Sequence, residues 1–465
     1  MFSMFARKPE APPKVASDEV VSLPFFDDAL LLAKSIHSHM YVFDKVLDVD
    51  KLEDAIERGL EFHIPTEFSK TRPLITRTRT KYETTIAGHP IGCRIPKPSD
   101  KPTVTMKAEN LGIFFERECP SKLDDYIYQD RSVFGVHIVT FRDATLLITY
   151  GNHTAMDGFG RRAIFDAWIL MLQGKEDAVP SPVDFHEDPL SQLGTDTSIS
   201  HKLSSRRVST FGLIGWALNN IVELAIRRPE TRLICLPAGF VEKMRAAAMD
   251  ELAATQTGTE KAFVSDGDIV VAWLARLSVH HLPPSNRNVT LQNVYSCRQM
   301  LTGSMLPKGR PYLSNCVAFF YSLLPIKDVM ENPLSHTAQQ VRTALQEQCT
   351  REQTEAYFSM VRETAPKKLP PMFGDSSMHL MIMSNWVKSN FFNLDFSAAC
   401  VEKCDHPVTP RYIHAVQSPP NFKEMYIIVG KDAHGNYWLS ACRSEQNWAV
   451  AKDAIERGDY MFEKQ

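Results

Sequence analysis

Asn152-His153-Thr154-Ala155-Met156-Asp157-Gly158-Phe159-Gly160 is the stretch whose residue types and spacing offer chemistry. An imidazole with an ordinary pKa near ~6.5 accepts a proton at neutral pH. His153 lies just past a strand-like run, Thr145 to Tyr150 (TLLITY), and Gly158 and Gly160 lead into a helical pattern. Strand ends are where α/β folds place reactive groups, because the backbone there is fixed and the side chain reaches a cleft. Asp157 either faces His153 or points away. If it points away, an arginine should neutralise it, since an unpaired buried carboxylate is expensive. The bland alternative is a core histidine followed by an aspartate that caps the next helix. Gly158-x-Gly160-x-x-Ala163 also matches a dinucleotide fingerprint, with Arg161 and Arg162 suited to a 2′-phosphate. Its position argues against that reading. A Rossmann loop follows its strand at once in the first βαβ unit, and here the preceding element is a hairpin.

The elements that must position His153 follow from periodicity. HSHMYVFD reads as a strand, preceded by a strand or turn at VVSLP. In LDVDKLEDAIERGLE, Val49, Leu52, Ala55, Ile56 and Leu60 fall near helical spacing, with Asp48 or Asp50 as cap. ITRTRTKYETT suits a solvated strand. Val133 to Phe141 and Thr145 to Tyr150 form a hairpin through Arg142-Asp143-Ala144. Arg161 to Leu172 reads as a largely buried helix ended by Gly174. Residues 174–210 read as a connection, followed by an apolar helix from Leu213 to Ile226. A strand at Thr231 to Leu236 opens the second half. Ser265 caps a helix whose Ile269, Val270, Trp273 and Leu274 face a core. Strands at Val294, Val317 to Leu324 and Tyr426 to Val429, and helices at Leu334 to Gln348 and near the C-terminus, complete an α/β mixture.

The chain has 465 residues, 44% of them hydrophobic and 23% charged, which suits a globular protein with two or three cores. Lys plus Arg is 52 against 55 Asp plus Glu, so no bulk field favours nucleic acid or acidic membranes. No apolar run approaches the ~18–20 residues of a membrane span. The first 20 residues read as a flexible arm without a secretory core. The nine scattered cysteines suit free thiols in a reducing, cytoplasmic setting. Cys400-x-x-x-Cys404-x-His406 is half a zinc site at most, with no second pair at ligand spacing, so no metal is expected. The basic stretch Lys70 to Lys81 reads as a solvated strand face or as a contact for phosphates. Gly-x-Ser-x-Gly and the P-loop signature are both absent.

HTAMDG resembles the HxxxDG motif of BAHD-type acyltransferases, which move an acyl group from coenzyme A to an alcohol or amine. Further stretches follow in that family's order: VSDGDIVVAWLAR, VYSCRQML with Arg298, PYLSNCV, and SNWVKSNFFNLDFSAA. The divergence resembles the fungal branch that includes trichothecene-type O-acetyltransferases. One motif departs from the pattern, because DFGWG is here Asp395-Phe396-Ser397-Ala398-Ala399.

The resemblance implies an α/β fold of two similar chloramphenicol-acetyltransferase-like domains. Each is a mixed sheet with helices, and a channel runs between them. The expected limits are 21–180 for the first domain, 181–230 for a crossover segment and 231–465 for the second. His153 would be the general base midway along the channel. Acyl-CoA, with acetyl-CoA expected, enters as co-substrate from one end, and a small-molecule alcohol or amine from the other. Asp157 and Gly158 would be structural, with Asp157 paired to an arginine such as Arg298. Asp395 is usually structural and sometimes counted as catalytic. Asn385, Ser397 and a backbone N–H near Gly158 are candidate oxyanion donors. Asn385 and Trp386 would border the pantetheine arm, with burial in the core the alternative for Trp386. His37 or His39 would line the acceptor pocket, with an ordinary core or surface histidine the alternative for either. A monomer is expected. Two other classes stay open: a carrier-protein-dependent condensation enzyme, which normally has a second histidine where this chain has Asn152, and a binding protein that has lost catalysis.

Overall fold

The computed structural model describes residues 20–61, 74–115, 119–129, 131–255, 262–367, 370–418 and 423–458, with Glu10 and Pro12. Its strands in the first half of the chain are β1 (Ile36–Phe43), β2 (Thr76–Lys81), β3 (Thr103–Lys107), β4 (Phe134–Thr140) and β5 (Thr145–Asn152). Those in the second half are β6 (Pro229–Leu236), β7 (Asn288–Ser296), β8 (Val317–Pro325), β9 (His379–Asn385), β10 (Tyr412–Ser418), β11 (Met425–Lys431) and β12 (Tyr437–Ser444). They form a five-stranded sheet in the order β10-β1-β5-β4-β2 and a seven-stranded sheet in the order β3-β6-β12-β11-β9-β7-β8. Both sheets are mixed: β2 runs parallel to β4, and β9 runs parallel to both β7 and β11.

The two sheets interlock. β3 precedes the 181–230 segment yet pairs with β6, and β10 follows it yet pairs with β1. A single cut in the chain therefore does not separate the strands of the two sheets. Edge pairing is a long-range choice that local composition does not record.

The longer helices are α1 (Val49–Glu61), α2 (Gly158–Leu172), α3 (Thr210–Asn219), α4 (Ala238–Thr255), α5 (Asp266–Val279), α6 (Leu334–Gln348), α7 (Arg351–Thr364) and α8 (Glu445–Glu456). Leu52, Ala55 and Ile56 of α1 and Phe165 and Trp168 of α2 share a core with Met40, Val42, Leu146 and Ile148. Trp168 donates its indole N–H to the Leu52 carbonyl at 2.9 Å, so the large ring is buried without an orphaned donor. The second core gathers Ile269, Val270, Trp273 and Leu274 of α5 against Leu291, Met381, Ile428 and Leu439. Ser265 and Asp268 form a reciprocal capping box at the start of α5.

VVSLP, expected as a strand or a turn, forms no strand and runs into a turn in which the Pro24 carbonyl accepts from the Asp27 N–H at 2.9 Å. Two local expectations change. α2 starts at Gly158 rather than Arg161, because Asp157 caps it by accepting from the Phe159 and Gly160 N–H groups. The apolar helix starts early, at Thr210, where Ser209 caps it, and breaks after Asn219 into a π turn over Val222–Ile226.

At Gly160 α2 packs against the backbone of Leu313 in the second half of the chain. A Cβ there would lie 1.9 Å from the Leu313 carbonyl oxygen, a backbone atom that cannot swing aside. Gly160→Ala is expected to destabilise the protein by about 1–3 kcal/mol, read from urea-induced unfolding.

Candidate active site

His153 follows the last residue of β5, and its backbone is tied on both sides. Its N–H donates to the Ser35 carbonyl at 2.9 Å, and its own carbonyl accepts from Asn315 Nδ2 at 2.8 Å. Asn315 is held in turn by Asp27, whose Oδ1 accepts from the Asn315 backbone N–H at 3.1 Å and from Nδ2 at 2.5 Å. Asp27 Oδ2 is buried without a partner, and burial raises this carboxyl to about 7. Asn152 is locked as well: Nδ2 donates to the Ala33 carbonyl, and Oδ1 accepts from the Thr154 N–H and hydroxyl.

Asp157 points its hydrogen bonds away from the imidazole. Oδ1 caps α2 at 3.0 Å from both the Phe159 and Gly160 N–H groups. Oδ2 accepts from Arg298 Nη1 at 2.7 Å and from the Cys316 N–H at 3.0 Å. Arg298 follows the end of β7 and also donates to the Tyr312 and Ser314 carbonyls. This buried pair therefore joins the start of α2, on the five-stranded sheet, to the end of a strand in the seven-stranded one.

Between the sheets lies a cavity of about 1230 Å³, and His153, Gly158, Asn385, Trp386, His37 and His39 all line it. His37 and His39 project the same way because strand residues two apart share a face. The His37 and His153 ring centroids are 4.3 Å apart, and His39 lies 5.0 Å from Trp386. Trp386 donates its indole N–H to Ser384 Oγ at 2.9 Å, and Asn385 Oδ1 accepts from the Val387 N–H. Burial lowers the pKa of His153, and it lowers those of His37 and His39 further. The carbonyl groups of His153 itself and Met156 and the charge of Asp157 oppose the shift at His153, while the nearby Arg161 adds to it.

Other expected residues lie elsewhere. Asp395 does not line the cavity. Its Oδ1 accepts from the Ser397 and Val408 N–H groups, each at 2.9 Å, and so braces its own loop. Ser397 is also off the cavity wall. The described part of the Lys70 to Lys81 stretch is turned to acids rather than to the cavity. Arg77 pairs with Glu57, Arg79 with Glu53 and Asp50, and Lys81 with Glu83. Sequence reasoning missed Asp27 and Asn315, and it met Arg161 as a candidate only in the dinucleotide reading that it set aside. Arg161 falls in the first turn of α2 and lines the cavity. For His37, the every-second-residue spacing in His37-x-His39-x-Tyr41 is the signal that pairs it with His39.

The model of the Transferase family matches residues 120–428. An acetyltransferase of Penicillium rubens, adrJ, is 31% identical, with 97% of this chain and 98% of that protein covered. The chain belongs to the BAHD-type Transferase family and is an acyltransferase. Equal identity, 31%, relates it to a Penicillium decumbens protein named transcriptional regulator calD, over 96% of this chain and 97% of that one. Among solved structures, TRI101 of F. sporotrichioides, complexed with coenzyme A and T-2, matches with a TM-score of 0.64. It is 16% identical, with 93% of this chain and 96% of that one covered, and so shares the two-domain BAHD fold.

Two measurements test this geometry. Asp157→Asn weakens the cap and leaves Arg298 without its counter-ion, for an expected loss of about 3–5 kcal/mol in urea unfolding. Asp27 bears on pH. Its folded carboxyl titrates near 7 against an ordinary value of 3.8, so folding takes up a proton between those values. Its stability contribution is complete below 3.8 and is lost as the pH rises through 7. Asp27→Asn keeps the Oδ1 acceptor, and in thermal melts it should flatten the decline between those two pH values.

Proposed function

We propose that this acyltransferase moves an acyl group, acetyl in the first instance, from acyl-CoA to a hydroxyl or amine of a small specialised metabolite. His153 is the general base, and no covalent acyl-enzyme forms. The observation that carries the reading is an imidazole, its pKa lowered by burial, on the wall of a cavity bounded by both sheets. Coenzyme A bound to TRI101 and the acetyltransferase name of adrJ support the donor.

In this reading His153 takes the acceptor's proton as that atom attacks the thioester carbonyl. The tetrahedral oxyanion meets fixed donors on the wall, where the Asn385 amide and the Gly158 N–H are the candidates. The intermediate collapses, and CoA leaves as a thiolate that recovers the proton from His153. The cavity holds both substrates together, so no protein nucleophile is required.

The carrier-protein reading is weaker because Asn152 stands in place of a second histidine, with its amide committed to Ala33 and Thr154. The binding-only reading draws on the Ser397-Ala398-Ala399 departure, yet Asp395 still holds that turn. All nine cysteines are free thiols, which supports a cytoplasmic setting. We take the enzyme to be a monomer.

Thiol release from acetyl-CoA with a set of alcohols and amines tests the proposal. His153→Ala keeps both backbone hydrogen bonds at that position, so it should melt like the wild type while turnover falls about 10²–10⁴-fold. Near-normal turnover overturns the assignment. The kcat/KM profile should rise through an ionisation below the ordinary histidine value of 6.5 and then stay level, because the active form is the neutral ring.

A further inference from the structure

Arg161 is 3% exposed, yet among the described residues no carboxylate lies within ion-pair distance of it. Among the described residues its guanidinium has one hydrogen bond, from Nη1 to Thr149 Oγ1 at 3.0 Å, and it lies 5.9 Å from the centre of the Phe134 ring. The other two arginines on the cavity wall, both half-buried, are neutralised: Arg298 by Asp157, and Arg342 by Asp268. Arg162, next in sequence, pairs with Asp166. Among the described residues nothing beside Arg161 replaces the missing acid. His37, His39 and His153 all lie within reach of its field, and burial keeps all three neutral. Tyr41, another neighbour, is pushed far towards its neutral form by burial. Arg161 also sits in the first turn of α2, where the helix dipole favours an anion rather than a cation. Beside it, His37 Nε2 is buried without a partner.

A guanidinium with spare donors, buried without a counter-ion at the wall of a cavity, costs stability unless something supplies the charge. We propose that Arg161 binds a carboxylate of a substrate, next to the reacting centre at His153. This rests on the acyl-transfer reading for what His153 does. The carboxylate belongs either to the acceptor, a hydroxy acid, or to the acyl group, a dicarboxylic acyl thioester such as malonyl-CoA. In both cases a planar fork faces a planar anion, the pairing in which arginine exceeds lysine.

The test is binding by calorimetry, which needs no turnover. Mandelate, 12-hydroxystearate and cholate are each compared with their methyl esters, and malonyl-CoA is compared with acetyl-CoA. The expected result is that the wild type binds the charged member of at least one pair more than about tenfold more tightly. That ratio should fall to about one in Arg161→Met and be kept in part in Arg161→Lys. A hydroxy-acid preference assigns the carboxylate to the acceptor, and a malonyl-CoA preference assigns it to the acyl group. The ligand-free Arg161→Met protein should melt no lower than the wild type, since it removes a charge that has no partner. Ratios near one in the wild type for every pair overturn the proposal. So does an Arg161→Met protein that keeps the preference, or one that melts well below the wild type without ligand, which would make Arg161 a structural residue. A carboxylate preference in a protein that releases no thiol would leave this site standing and remove the acyl-transfer reading instead.

Discussion

The contact on which the rest of the site depends is the buried Asp157–Arg298 ion pair. Both oxygens of the carboxylate are used. One holds the start of α2, and the other holds Arg298 and the backbone just before β8. Those two attachments belong to different sheets, so the pair sets the separation of the walls between which His153 stands. A buried ion pair adds little net stability compared with well-packed apolar groups, and its directional bonds fix a geometry instead. Gly160 allows the approach, because no side chain is tolerated where α2 meets Leu313.

A second constraint acts on charge. The cavity wall around His153 carries three imidazoles and a guanidinium, and desolvation keeps the rings neutral. A base must be neutral to accept a proton, so the depth that makes the site costly also keeps His153 ready. The ring's position is held by its backbone through Ser35 and the Asn315–Asp27 strap rather than by a carboxylate on the imidazole. An acid paired to the ring would raise its pKa, and here Asp157 is turned to other partners.

The interlocked sheets explain how two halves act as one site. β3 and β10 each close an edge of the other half's sheet, so neither half completes its hydrogen bonding alone. α3 lies over the cavity with Leu213 and Trp216 on the lining side, while Phe211, Ile214 and Leu218 face outwards.

Much of the local structure was legible in the chain, because it follows from short-range periodicity. The β4–β5 hairpin, the amphipathic α1, the Ser265 cap and the strand carrying His39 all read from residue patterns, and motif order pointed to the family. The HTAMDG segment also contained the two directions open to Asp157. Tertiary structure alone decided between them, because Arg298 lies 141 residues away and meets Asp157 only when the sheets interlock. The same holds for the solitary charge of Arg161, for Asp395 and Ser397 lying off the cavity, and for the exchange of β3 and β10. Each depends on what is absent or present across a long-range contact, and the spacing of residues along a chain carries no record of that.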